Sequence, residues 1–490
     1  MPARSVAFAN LRGGCGKSTI LFQLASDFAK AHASTGVLVV DCTAFGDVSR
    51  LLLGGRQQHV KEAVAAQHAD GRSTAHLLSA LLAPETLPAS AAPLTPGRPA
   101  AAAVAGGAPR GAASWAASGL DLNIAKRFGV PVSEVNSGIP MANLLLIPSG
   151  ATKQQPCSGV GGLDILRLAR SLRARLDALP GDWQIFLDTD GDLTFSPATE
   201  VALRTADLCY IPYQPTESDH DRATEAVSRL QRLQPPAAKV GGIVYNMVAP
   251  EPRSASEGWG PYSASFRPHE VAVRRMVDDF SADWWGRAQA APASFAAASA
   301  ADVQGEQQGF IQGSVMLMQD FGKPGNLAAE LGIPFCSMEA GKQYSSGAGH
   351  TESLGASKKL AAVEANVQEL RLLVEEAQAW LGATSAASAA LDSQIDFLEA
   401  QQQAEDAALL QQAQQQAQQQ AQEEQQPVLA VEGHPAPEQQ PEHGSTVRSA
   451  GGSAAAMALA AAALVAVAPA AAPAAALAAA VIAGRQWLSK

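Results

Sequence analysis

Short runs of apolar residues recur along the chain, and between them apolar positions repeat every three or four residues. The runs are Ser5–Ala9, Val37–Asp41, Asn143–Pro148, Gln184–Asp188, Asp207–Pro212, Val240–Asn246 and Ser314–Gln319, most of them ending on a polar or turn residue. Runs this short without polar alternation predict strands buried on both faces. Ile20, Leu21, Leu24 and Phe28 mark one face of a helix after the first run; Leu163–Leu176 and Ala223–Leu233 carry the same spacing. Strand and helix in alternation predict an α/β fold with a doubly wound, mostly parallel sheet. Functional residues of such sheets gather at the carboxyl ends of strands, where Asp41, Asp188 and Asn246 stand.

Between the first strand and its helix lie Arg12, Gly13, Gly14, Cys15, Gly16, Lys17, Ser18 and Thr19. Strand, glycine-rich loop and helix together predict a phosphate-binding loop. The glycines let backbone N–H groups close around phosphate oxygens, and the helix N-terminus adds partial positive charge. Lys17 is expected at the terminal phosphates and the Ser18 hydroxyl on Mg²⁺.

Two stretches interrupt the nucleotide domain expected over 1–345. Residues 83–118 are rich in Ala, Pro and Gly and read as a disordered insertion. Residues 251–310 form a second insertion with a helix expected over His269–Trp285. Phe280, Trp284 and Trp285 have near-helical spacing and read as packing rather than a base-stacking platform, since no basic stripe accompanies them. Ser218, Asp219, His220 and Asp221 gather metal-ligand types, but read as a solvated helix N-terminus.

Beyond the domain, Leu360, Val363, Val367, Leu370, Val374, Ala377 and Leu381 alternate at three and four, and Leu391, Ile395 and Leu398 resume the register. This seam predicts a coiled coil over 357–425 that dimerises or binds a protein partner; a helix folded back on the domain is the competing reading. A Pro/Glu-rich linker is expected over 426–452. The Ala-dominated stretch 453–484 is long enough to cross a bilayer, with Arg485, Trp487 and Lys490 at its edge. Pro469 and Pro473 leave a tail anchor and an Ala-rich soluble tail both open.

Composition narrows the classes. A net charge of −11 over 490 residues does not indicate a nucleic-acid-coating surface. Cys15, Cys42, Cys157, Cys209 and Cys336 form no CxxC pair, which suits a reducing compartment. With the glycine loop starting at residue 12, no leader peptide is expected before it, and the chain reads as cytoplasmic.

The stretch from Asn10 through Arg12-Gly13-Gly14 to Lys17-Ser18-Thr19 resembles the ParA/MinD group of deviant-P-loop ATPases, with Arg12 at the family's signature lysine. The resemblance implies ATP and Mg²⁺ as cofactors and an ATP-dependent homodimer in which Arg12 reaches the partner's phosphates. It also implies Mg²⁺ held by Ser18 and Asp188, adenine recognised by Asn246, and a switch role for Asp47. Asn246 also reads as a strand-terminal turn residue and Asp47 as a helix N-terminal acid. The tail of Asp41-Cys42-Thr43-Ala44-Phe45-Gly46-Asp47-Val48-Ser49-Arg50-Leu51 looks like nitrogenase iron protein, and so does Asp188-Thr189-Asp190-Gly191-Asp192. Thr43 stands where ParA proteins carry the acid tied to hydrolysis, and a hydroxyl is a poor base at neutral pH. Asp192 is the substitute, as base or water-orienting group, against the alternative of a solvated carboxylate. An iron–sulfur cluster is not expected: Cys157 has no second cysteine near 193–196. The expected activity is slow ATP hydrolysis driving positioning or partner association, with a non-hydrolysing nucleotide-binding scaffold as the alternative.

Overall fold

A computed structural model describes residues 4–82, 123–150, 160–191, 195–233, 238–252, 266–297, 306–345, 351–354, 358–381 and 386–424. The strands are β1 (Arg4–Phe8), β2 (Gly36–Asp41), β3 (Val130–Pro131), β4 (Leu144–Ile147), β5 (Trp183–Asp188), β6 (Leu208–Tyr213), β7 (Lys239–Val248), β8 (Pro250–Pro252), β9 (Phe266–Pro268), β10 (Val315–Gln319), β11 (Gln343–Ser345) and β12 (Thr351–Ser353). The helices are α1 (Lys17–Ala31), α2 (Asp47–Leu53), α3 (Gln58–Ala69), α4 (Thr74–Leu82), α5 (Asn123–Phe128), α6 (Val132–Val135), α7 (Gly162–Asp177), α8 (Pro197–Thr205), α9 (Glu217–Arg232), α10 (Val271–Ala290), α11 (Gln307–Ser314), α12 (Gly322–Leu331), α13 (Lys358–Leu381) and α14 (Ala386–Glu424).

One eight-stranded sheet runs in the order β10-β7-β6-β1-β5-β2-β4-β3. All seven apolar runs read from the sequence are strands of it, and these seven pair in parallel. Only the two-residue β3, too short to leave a pattern, is antiparallel. Both faces are dry. Val6, Phe8, Val37, Val39 and Phe186 pack into one core, while Ala7, Leu38, Val40, Ile185 and Leu187 pack into the other. The strict in–out alternation of a strand divides each apolar run between two helix layers, which is why the runs show no polar partner positions. Register fixes the site: Phe8 lies beside Asp188, and Asp188 beside Asp41, so three strand ends meet at one place.

The second insertion is part of the core. Val277, Trp284 and Ala288 of α10 are fully buried in the cluster that holds Tyr213 and Tyr245. Packing is therefore what Phe280, Trp284 and Trp285 do.

The coiled-coil expectation needs correction over 358–381. Leu360, Val363, Val367, Leu370, Val374 and Ala377 are buried in the domain's second core, alongside Phe28 and Met316. Polar contacts fix the helix there. Arg371 Nε donates to Asp27 of α1 at 2.9 Å, and Asn366 Oδ1 accepts the Gln319 N–H of edge strand β10 at 2.9 Å. A seam spaced for another helix also fits a half-open α/β core, and sequence spacing alone does not separate the two. In α14, Ile395 is buried and Glu399 pairs with Arg167 of α7, whereas Phe397, Leu409 and Leu410 are exposed. The chain divides at residue 412; of the second unit the described part is the helical stretch 413–424. Among the described residues no helix is long and apolar enough to cross a membrane. The expected insertion 83–118, linker 426–452 and anchor 453–484 lie outside them, as do Cys157 and Asp192.

Candidate nucleotide site

β1 delivers the chain into the glycine loop, and α1 begins at Lys17. Gly16 caps that helix in the left-handed region, at φ 91°, a conformation L side chains rarely adopt. A Cβ there would also crowd the Asn246 amide, which would have to shift. Lys17 is buried, and its ammonium donates to the Arg12 carbonyl at 3.2 Å, which folds the loop over it. Asn246, at the end of β7, donates to the Cys15 carbonyl at 2.9 Å. Here its amide holds the phosphate loop.

Asp188 is fully buried. Its Oδ1 accepts the Thr189 N–H at 3.1 Å, and its Oδ2 accepts no hydrogen bond. Burial pushes this carboxyl well above the usual range, and the neighbouring Asp41 charge adds to the push; Ser18 and Lys17 pull against it. A buried carboxylate oxygen without a partner, beside a hydroxyl and an ammonium, fits a divalent cation, which would favour the ionised form. Ser18 and Asp188 are thus brought together as the proposed Mg²⁺ pair.

The neighbouring Asp41 is different. Its Oδ1 accepts from the Thr43 N–H at 3.0 Å and hydroxyl at 2.6 Å, and its Oδ2 from the Ser49 N–H at 3.1 Å and hydroxyl at 2.5 Å. Burial raises its pKa against these hydrogen bonds. Asp41 closes the loop between β2 and α2 and has no lone pair left over for a ligand. Thr43 is equally committed: its hydroxyl donates to Asp41 and accepts the Gly46 N–H at 3.0 Å. In this structure the hydroxyl serves the turn into α2. Asp47 stands at the first position of α2, exposed, 3.8 Å from Arg50. It is the helix N-terminal acid its position suggests, yet near enough to Asp188 for its charge to be felt there.

Arg12 forms an ion pair with Asp219 of α9, and Arg222 lies 3.8 Å from the same carboxylate. Asp219 is buried, and its Oδ2 has no hydrogen-bond partner. The solvated-terminus reading of 218–221 is thus overturned at Asp219. It fails at His220 too, which stacks on Phe280 and hydrogen-bonds Tyr213 and Asp283 at 3.0 Å each. Arg12, Phe280 and Asp283 stand far away in sequence, so no local pattern announces them. Among the described residues no cluster of three metal-ligand types is present.

A phosphate loop on the first strand of a parallel sheet, with a buried acid on the adjacent strand, defines a P-loop nucleotide-binding protein. Residues 6–259 match the family described as CobQ/CobB/MinD/ParA nucleotide binding domain, and the chain belongs to that family. It is similar to solved structures of apo McdA from Cyanothece (14% identity, 78% of this chain and 100% of that one, TM-score 0.40). It is also similar to pNOB8 ParA (12%, 77% and 98%, TM-score 0.43). A third is a putative plasmid partition protein from Borrelia burgdorferi bound to AMPPNP (11%, 76% and 98%, TM-score 0.40). The family assignment rests on the sequence match rather than on these overlaps. Among curated proteins none matches.

Proposed function

We propose that this chain is an ATP-binding, slowly hydrolysing switch of the ParA/MinD type, which dimerises around Mg–ATP and so controls positioning or partner association. The observation that carries it is the unpartnered Asp188 Oδ2 beside Ser18 and Lys17 at the glycine loop. In this reading Gly13 to Thr19 cradle the phosphates through backbone N–H groups, and Lys17 counters their charge. Mg²⁺, held by Ser18 and Asp188, would supply charge neutralisation at the terminal phosphates. Asn246 keeps the loop in register and adds an amide edge for adenine. Asp47 and Asp192 are the remaining acids for orienting water. Arg12 leaves Asp219 to reach the partner subunit's phosphates when two copies meet. The exposed side of α14 is the surface offered to a protein partner. If 453–484 inserts, carbonate extraction leaves the intact chain on the membrane and releases one lacking 453–490.

ATP turnover by wild type, Lys17→Ala and Asp192→Asn tests the hydrolytic part. Slow wild-type turnover that both substitutions abolish is expected; equal rates in all three would contradict it. A second reading has its own support. Because the Thr43 hydroxyl is tied to Asp41 and Gly46, the chain would serve as a scaffold that binds nucleotide without cleaving it. Tight Mg–ATP binding with no turnover would favour that reading.

A further inference from the structure

The segment that follows β5 touches a different part of the site with each residue. Asp188 presents its unpartnered oxygen, and Thr189 donates its hydroxyl to the Phe8 carbonyl at the end of β1, at 2.6 Å. Asp190 Oδ1 accepts the Ala44 N–H, in the loop between β2 and α2, at 3.0 Å. Its Oδ2 accepts from the Ser196 hydroxyl, the N-cap of α8, at 3.4 Å. Gly191 lies directly on the glycine loop: a Cβ there would stand 2.5 Å from the Arg12 carbonyl oxygen and 2.7 Å from the Gly13 nitrogen.

Four consecutive residues thus read, in order, the cation position, the first strand, the β2–α2 loop and the phosphate loop. Asp190 is buried, and its own N–H donates to Thr199 Oγ1 at 3.2 Å, so both its backbone and its carboxylate are fixed by α8. Ala44 follows Thr43, whose hydroxyl holds the turn into α2. Movement of the β5–α8 segment would therefore pull on the β2–α2 loop through one carboxylate.

We propose that Asp190 is the positioning residue that couples the β2–α2 loop to the β5–α8 loop, so that occupancy of the phosphate site sets both together. The coupling rests on the reading that this site binds ATP, whereas the Asp190–Ala44 contact itself needs no ligand. A carboxylate accepting a backbone N–H here has a positioning role, with no proton to transfer. It follows that Asn, which keeps an acceptor oxygen of the same shape, restores the function, whereas Ala does not.

Hydrogen exchange of residues 43–50, read on the full chain with and without Mg–AMPPNP, separates the two layers. Without nucleotide, Asp190→Ala is expected to speed exchange at Ala44 at least about tenfold, because the amide loses its buried acceptor, and Asp190→Asn to stay near wild type. With Mg–AMPPNP, wild type and Asp190→Asn gain protection over 43–50. Asp190→Ala binds within about threefold of wild type yet gains none, and its kcat for ATP falls at least about tenfold at unchanged KM. Thr199→Val loosens the same segment while keeping the carboxylate, and an intermediate rise in Ala44 exchange is expected should Asp190→Ala not fold. Unchanged Ala44 exchange in Asp190→Ala and Thr199→Val overturns the contact. Retained nucleotide protection in Asp190→Ala overturns the coupling. An Asp190→Asn variant as impaired as Asp190→Ala also overturns it, because charge rather than position would then matter. A wild-type chain that binds no Mg–AMPPNP refutes the ATP reading and the coupling together, while the nucleotide-free exchange still decides the contact.

Discussion

Two carboxylates facing each other in register on adjacent strands, Asp41 and Asp188, are equally buried and chemically opposite. Four donors occupy Asp41, while Asp188 keeps an oxygen without a partner, and that contrast assigns the cation to one of them. Asp188→Asn is therefore expected to weaken Mg²⁺-dependent nucleotide affinity at least about tenfold while leaving metal-free nucleotide binding nearly unchanged, since losing a charged ligand costs more than about 1.4 kcal/mol. Equal loss with and without Mg²⁺, in a titration of fluorescent ATP, would remove Asp188 from the cation site. Arg12 gives a second expectation. Its pair with Asp219 joins a part-exposed guanidinium to a buried carboxylate. If that pair restrains Arg12, Asp219→Asn should lower the ATP concentration needed for dimerisation by up to about fivefold. An unchanged or raised requirement, measured by sedimentation, would show that the pair restrains nothing.

At the scale of elements, α13 belongs to the domain core. Leu370 and Val374 are fully buried against the sheet layer, so Leu370→Ala should cost about 2–5 kcal/mol in a denaturant titration. A loss under about 1 kcal/mol would mean that the helix is detachable and the partner-helix reading would return. The packing of α9 on α10 adds a pH expectation through His220 of α9. Burial lowers the pKa of His220 below the ordinary 6.5, outweighing the opposite pull of Asp283. The folded protein then binds this proton less readily than the unfolded chain does. The contribution to stability is full above pH about 6.5 and is lost as pH falls through the lowered value. Chemical denaturation across that window should show a fall in stability that His220→Phe flattens; identical pH slopes for both proteins would contradict the burial argument.

For the molecule as a whole, strand positions were legible because a sheet buried on both faces writes its strands as uninterrupted apolar runs. The glycine loop was legible because it is local: eight residues, one turn and one helix start. Contacts made across the sheet were not. Asp219 stands far from Arg12 in sequence and Asp190 far from Ala44, and neither residue type nor spacing marks such a pair. Thr43 reads from the sequence as a missing acid, whereas its engagement with Asp41 and Gly46 depends on how the loop turns back. Over 358–381 the seam faces the domain core for a related reason: three-and-four spacing says that a helix has an apolar face and leaves its partner undefined.

The central claim, a nucleotide-driven switch between one copy and two, is tested most directly by the mass of the full chain in solution. Light scattering on wild type and Lys17→Ala, each without nucleotide, with Mg–ADP and with Mg–ATP, gives the comparison. Mass is expected to double in wild type with Mg–ATP alone and to stay constant in Lys17→Ala. The same mass for wild type under all three conditions would contradict it.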